Sequence, residues 1–271
     1  MEMNSLFPAR CSWPAGVIDV REAPAEATAI RLVSKAKNIR ELSRWSALKA
    51  LWCFDIDARS LDAIGDCHAL ESLYIETLRV DNFRALLRLK NLKTLSLETC
   101  SRVTSIPDLE SLQSLRGLAI SHFSKVHDLT PLTTLRSLTS LAVSGSMWKR
   151  MSVHSFQPPS SLKDLVFLHL TNIKPADGSL EPLHGLSKLK QLDVANFYST
   201  REFALLSRSL GSTNCTWLSP IVDIDFSKCP KCLGHKVMLS GKGSSTVCPR
   251  CQARKVEAHL SEWRDAVCTA A

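Results

Sequence analysis

A ladder of apolar residues spaced Leu-x-x-Leu-x-Leu limits what this chain can fold into more sharply than any other feature of its sequence. It stands at Leu48-Leu51-Cys53, Leu70-Leu73-Ile75, Leu92-Leu95-Leu97, Leu115-Leu118-Ile120, Leu138-Leu141-Val143, Leu165-Leu168-Leu170 and Leu189-Leu192-Val194. The central leucines of neighbouring copies lie 22 to 24 residues apart, except for 27 between Leu141 and Leu168. A degenerate copy precedes them at Ile30-Leu32, and another is expected around Leu218. Self-similarity at a fixed period marks stacked units, none of which can bury its apolar side alone. Within one unit the apolar residues fall at every third position: Phe123, Val126, Leu129, Leu132, Leu135, Leu138 and Leu141. An α-helix turns every 3.6 residues and would carry such a stripe off one face. Short 3₁₀-like turns leading into a strand keep it together. The expected class is an α/β solenoid, not a helical bundle.

The segment Ile106-x-Asp108-Leu109-x-x-Leu112-x-x-Leu115-x-x-Leu118-x-Ile120 resembles the short repeat of internalin-type leucine-rich-repeat proteins, and the resemblance extends over roughly residues 27–218. It implies a right-handed horseshoe with a parallel sheet lining its concave face, and it implies no particular partner. One column departs from the family. Three residues after the strand, where the family often has Asn, this chain has Ile56, Leu78, Cys100, Phe123, Ser146, Ile173 and Phe197. Packing, not an amide, is therefore expected to hold the turn.

Side chains alternate between the two faces of a strand, so the residues between the ladder positions point away from the core. The column between the last two apolar residues reads Arg31, Trp52, Tyr74, Ser96, Ala119, Ala142, His169, Asp193. The one after it reads Val33, Phe54, Glu76, Glu98, Ser121, Ser144, Thr171, Ala195, and the one before it ends in Phe167 and Gln191. Trp52, Phe54 and Tyr74, bordered by Glu76 and Glu98, are expected to form an aromatic patch at the N-terminal end, and Phe167 with His169 a smaller cluster at the other. Exposed aromatics among small polar groups have the composition of interface anchors. The competing expectation is that the N-terminal segment, whose Trp13, Val17, Ile18 and Val20 must pack somewhere, covers the patch. The longest interval contains Ser144–Ser161, with Met147-Trp148-Lys149-Arg150-Met151. It is expected to emerge as a loop that either contacts a partner or tucks back on the convex side.

Near the C-terminus, Cys229-Pro-Lys-Cys232 and Cys248-Pro-Arg-Cys251 give Cys-x2-Cys-x15-Cys-x2-Cys. Two thiolates from each of two tight turns supply the four soft donors that tetrahedral zinc takes. Val237–Leu239 and Thr246–Val247, joined through Ser240–Ser244, read as the strands of a hairpin between the turns. The whole resembles a zinc ribbon, with structural Zn²⁺ on Cys229, Cys232, Cys248 and Cys251. A lone redox Cys-x-x-Cys is disfavoured by the second pair and by the lack of a βαβ pattern. Val256, Leu260, Trp263 and Val267 then mark one face of a terminal helix, which places Glu257 and His259 on its wet side. The expected divisions are 1–26 as an N-terminal cap, 27–220 as the repeats, 221–255 as the ribbon and 256–271 as the helix.

Charge sharpens the reading. The chain carries +8 overall, and seven Lys/Arg with no Asp/Glu fall between Lys228 and Lys255, so the remainder carries about +1. Lys231, Lys236, Lys242, Arg250, Arg254 and Lys255 are candidate nucleic-acid contacts. Four thiolates and a zinc ion together carry −2, however, which cuts the effective charge of the ribbon to about +5, and the ribbon has no exposed aromatic on which a base could stack. The ten cysteines show no pairing rhythm outside the two knuckles. With no apolar leader expected at Met1–Pro8, a reducing cytoplasmic location fits. No run approaches a membrane span. Gly241-Lys242-Gly243 lacks the spacing of a phosphate loop, the clustered ligands are too few for a two-zinc RING, and no histidine shares a column with both a nucleophile and a carboxylate. The chain reads as a non-catalytic scaffold that recognises a macromolecular partner, most simply a protein, on the concave sheet. An immunity- or antitoxin-like protein that occludes its partner is one concrete form. The alternative is a nucleic-acid-associated adaptor standing on the basic ribbon.

Overall fold

A computed structural model describes residues 13–146 and 148–269, with the backbone alone for Phe226. The first twelve residues of the expected cap, Cys11, Met147 and the last two alanines lie outside the described residues. Chain order runs β1 (Gly16–Asp19), β2 (Ala29–Lys37), β3 (Ala50–Ile56), α1 (Ala58–Gly65), β4 (Ser72–Leu78), β5 (Thr94–Glu98), β6 (Gly117–Ser121) and β7 (Ser140–Ser144). It continues with β8 (Met151–Val153), α2 (Gln157–Ser160), β9 (Phe167–Leu170), β10 (Ile173–Pro175), β11 (Gln191–Val194), α3 (Thr200–Ser209), β12 (Ile221–Lys228), β13 (His235–Leu239), β14 (Thr246–Val247) and α4 (Ala253–Cys268).

Nine strands form one parallel sheet in the order β1-β2-β3-β4-β5-β6-β7-β9-β11. Its register follows the ladder, with Leu51 opposite Leu73, Leu73 opposite Leu95, Leu95 opposite Leu118, and Leu118 opposite Leu141. Every ladder leucine from Leu48 to Leu192 is buried. The three-residue stripe has a direct cause in the backbone. The amides of Leu92, Leu115 and Leu138 donate to the carbonyls of Leu89, Leu112 and Leu135, three residues back, at 3.0–3.1 Å. The side chains of a three-residue turn eclipse one another, so each turn delivers its apolar residue to the same side. Adjacent coils are stitched by shared carbonyls: Glu71 O accepts from Lys93 N and Thr94 N, and Lys93 O accepts from Arg116 N and Gly117 N.

The column that lacks asparagine is held by packing. Ile56, Leu78, Cys100, Phe123 and Ile173 are buried to 1% exposure or less, and Phe83 meets Phe123 edge-to-face at 6.2 Å. The residue just before each of several members of that column takes a left-handed backbone: Asp55, Thr77, Thr99, His122 and Asn172, with φ between 50° and 65°. This conformation swings the chain out of the strand, and it is strained for the β-branched Thr77 and Thr99. The degenerate copy after the ladder is reduced to a single bridge between Gln191 and Asn214. Ser144–Ser161 does not emerge as a simple loop. Its β8 pairs in parallel with β10 in a second, two-stranded sheet, because Met151 and Val153 find buried positions there.

Candidate functional site: the concave sheet and a four-thiol centre

At the N-terminal end of the sheet the open aromatic patch expected from the sequence is closed. The Trp13 ring lies 5.8 Å from Trp52, 6.1 Å from Phe54 and 4.9 Å from Tyr74. Trp52 and Tyr74 retain only 6% and 5% exposure, whereas Phe54 and Glu76 are half-buried. Four rings that lose water together gain more than four left separately on a wet sheet, which is why the N-terminal segment lies there. The outward face at this end is therefore the Trp13–Phe54 block rather than Trp52 and Tyr74. The Tyr74 hydroxyl donates to Glu76 Oε2 at 3.3 Å, and Glu98, half-buried, continues the acidic border.

The middle of the concave wall carries small side chains, with Ser96, Ser140 and Ala142 buried. At the far end Phe167 and His169 stand side by side on β9, half-buried. His169 is fixed on both sides: Nδ1 lies 3.3 Å from Asp193 Oδ2, and Nε2 lies 2.6 Å from Thr171 Oγ1. Gln191 Nε2 also donates to Asp193 Oδ2, at 3.2 Å. The result is a pre-set polar array beside an aromatic ring. The adjoining insertion holds Trp148 outward at 91% exposure, so this ring does not tuck back onto the convex side. A tight turn fixes it, with Lys149 N donating to Ser146 Oγ at 2.8 Å, while the Arg150 guanidinium sits 3.9 Å above the Phe197 ring. Sequence reading missed that stacking, because Phe197 is 47 residues from Arg150 and belongs to the turn column.

The second candidate site is built by the two Cys-x-x-Cys turns. A three-stranded antiparallel sheet, β12-β13-β14, pairs Val237 with Val247 and Met238 with Thr246. The hairpin matches the expectation; β12 had no ladder signal to reveal it. The Sγ atoms of Cys229, Cys232, Cys248 and Cys251 all lie within 4.8 Å of one another. Cys229 and Cys251 are 3.8 Å apart, and Cys232 and Cys248 3.5 Å. A tetrahedral metal with bonds to sulfur of about 2.3 Å requires sulfurs roughly 3.8 Å apart, so the donor set fits one. The turns are shaped for thiolate. Cys229 N donates to Gly234 O, and Leu233, left-handed at φ 56°, returns a bond from its N to Cys229 O. The backbone amides of Cys232 and Lys231 bring the Cys229 thiol down to about 6, and the Cys251 amide lowers that of Cys248. Hydrogen bonding to the sulfurs of Cys232 and Cys229 pushes Cys251 up to about 12. The positive charge of a metal would let four such sulfurs coexist as thiolates.

The ribbon is seated on the last repeat by Asn196. Its Nδ2 donates to Leu239 O at 3.0 Å and to Gly243 O at 2.7 Å, and its Oδ1 accepts from Gly241 N. Gly241, at φ 83°, packs so closely on the Thr200 backbone that a Cβ would collide with it. Helix α4 bridges the two parts: Val256 and Leu260 pack on the ribbon core, and Trp263, Ala266 and Val267 on the solenoid core. The expectation that His259 is wet is corrected. It is 3% exposed, and its Nε2 donates to Pro220 O at 2.9 Å, because α4 is covered on two sides and not one. Glu257 is exposed and accepts from Arg264. Of the basic candidates, Lys231, Arg250, Arg254 and Lys255 are exposed and Lys236 is half-buried, while Lys242 is paired with Glu262 at 2.8 Å.

Residues 17–123 match the family model described as R13L1/DRL21 LRRs. No curated protein matches the chain. Among solved structures, an internalin C2 from Listeria monocytogenes is similar at 19% identity over 64% of this chain and 71% of that one, with a TM-score of 0.49. An internalin from the same organism, InlF, is similar at 17% identity over 70% of this chain and 67% of that one, with a TM-score of 0.45. The plant peptide hormone receptor RGFR1, in complex with RGF2, shares 15% identity over 67% of this chain and 34% of that one, with a TM-score of 0.47. The nine-stranded parallel sheet and the family match together make this molecule a leucine-rich-repeat solenoid. No helix among the described residues is long and apolar enough to cross a membrane.

Proposed function

We propose that the protein is a non-catalytic, cytoplasmic scaffold that holds a protein partner across its concave sheet, with a structural zinc ion on Cys229, Cys232, Cys248 and Cys251. The observation that carries the partner reading is the arrangement of two anchor groups at opposite ends of one rigid wall. The Trp13–Phe54 block with Glu76 and Glu98 stands at one end, and Phe167 with the braced His169 at the other, across a floor of small residues. Trp52 and Tyr74 support the first anchor from beneath. Rigid aromatics with satisfied polar neighbours lose little entropy on binding. Occlusion of a partner, as by an immunity or antitoxin protein, is the form such a wall most directly serves. Zinc is favoured by the all-thiol donor set and its sulfur spacing; when bound, it supplies the cross-link that a four-residue ribbon core lacks. Cys53, Cys67 and Cys100 serve as buried core residues whose thiols burial pushes up, which suits a reducing compartment.

The second reading, a nucleic-acid foot, draws on the exposed Lys231, Arg250, Arg254 and Lys255. Co-purification with nuclease treatment, followed by mass spectrometry, separates the two. Phe167→Ala with Glu98→Lys should release a co-purifying protein by at least tenfold, whereas Lys231→Glu with Arg250→Glu should leave it bound. Loss with the ribbon pair alone, and a steep fall in binding between low and moderate salt, would transfer the role to the ribbon.

A further inference from the structure

On the flank of the solenoid, away from the concave wall, three successive coils turn arginines into one cavity of about 700 Å³. Arg59 comes from α1, Arg79 from the residue just after β4, Arg84 and Arg88 from the 3₁₀ turn that follows, and Arg102 from the turn after β5. Leu61 and Val80, both buried, lie in its apolar floor. The floor is pre-formed, because Gly65 lets α1 approach so closely that a Cβ there would lie 2.5 Å from the Ala85 carbonyl oxygen.

Two of these arginines are held in ion pairs. Arg79 is engaged by Asp55, and Arg88 by Asp62 and Asp66. Asp57 caps α1 and accepts from Ser60 N at 2.8 Å. Among the described residues, Arg59, Arg84 and Arg102 form no ion pair, and Asp81 is the one carboxylate of the lining that also forms none. Three guanidiniums outside any ion pair thus line the cavity, beside one such carboxylate. A guanidinium presents several N–H donors in a planar fork, which matches the oxygens of a phosphate and neutralises its charge. A phosphate monoester carries close to −2 at neutral pH, which three such forks can share.

We infer that this cavity is a binding site for a phosphate monoester, with Arg59, Arg84 and Arg102 gripping the phosphate and Leu61 and Val80 taking the group attached to it. The site is independent of the concave-face reading. Clusters of arginine over an apolar floor read phosphate wherever it is carried, on a small molecule or on a modified side chain.

Isothermal titration of the intact protein with phenyl phosphate, inorganic phosphate and a phosphotyrosine hexapeptide tests it. Phenyl phosphate should bind at a single site, with inorganic phosphate as a weaker competitor and phenol giving no heat. Arg59→Gln, Arg84→Gln and Arg102→Gln combined should weaken binding by more than tenfold; all three side chains are exposed, so the melting temperature should stay put. The matched control Lys125→Gln, Lys163→Gln and Lys190→Gln should bind as wild type. A hexapeptide that binds over tenfold tighter than phenyl phosphate makes a phosphorylated protein the source, and equal affinities make it a small ester. Absence of binding at millimolar phenyl phosphate, affinity unchanged in the arginine variant, or equal loss in the lysine control would each overturn the inference.

Discussion

The solenoid and the ribbon solve the same problem, a chain segment too short to bury its own core, in opposite ways. Each coil of the solenoid borrows its neighbours' leucines, so some sixty buried residues form one continuous apolar column. The ribbon has four, Val237, Leu239, Val247 and Val256. The first spreads its stability along the chain, and damage to one coil is shared with the coils on either side. On the proposed zinc reading, the second concentrates it on four sulfur atoms, and the segment would stand or fall with them. The two meet at Asn196 and α4, so the joint can be tested separately from either part.

The comparison breaks first if the ribbon survives without a metal. Cys232→Ser with Cys248→Ser, or a strong chelator, should abolish amide-exchange protection across β12–β14 while leaving β3–β7 protected. Protection retained in all three ribbon strands would mean that the apolar core suffices and that the thiol cluster is incidental. Next in size is Leu97→Ala in a central coil, where the leucine is fully buried. The cavity should cost about 2–5 kcal/mol by denaturant melt, lowering the solenoid transition without touching exchange in the ribbon. Asn196→Ala strips partners from the Gly241 amide and the Leu239 and Gly243 carbonyls. A cost of roughly 1–3 kcal/mol is expected, and a calorimetric scan should show the ribbon and the solenoid melting further apart than in the parent protein. The smallest effect has the opposite sign. Thr77 sits at φ 65°, so Thr77→Gly should relieve left-handed strain and raise stability by about 1 kcal/mol, seen as a higher melting temperature.

How far the sequence could be read differs between the two regions for a physical reason. The ladder was legible because period and register are local: three-residue turns fix where Leu92, Leu115 and Leu138 point, whatever surrounds them. The four cysteines were legible because metal geometry demands short spacing within each knuckle. The left-handed column Asp55, Thr77, Thr99, His122 and Asn172 was not, since Thr77 and Thr99 are of a residue type that rarely takes such a backbone. Strand β12 was missed because it follows no repeat and pairs with β13 across the first knuckle. His259 was misplaced because a helical stripe shows one buried face and cannot show a second.

The amino-acid order by itself determined that the chain winds into coils, that each coil adds a parallel strand, and that four thiols can meet a metal, because each of these follows from spacing within about twenty residues. Tertiary structure alone decided which surfaces stay open. Trp13 reaches across β2 to cover Trp52 and Tyr74, Asn196 seats the ribbon on the last coil, and arginines up to 43 positions apart converge on one cavity. Exposure depends on what the rest of the chain brings to a surface, and no local pattern encodes that.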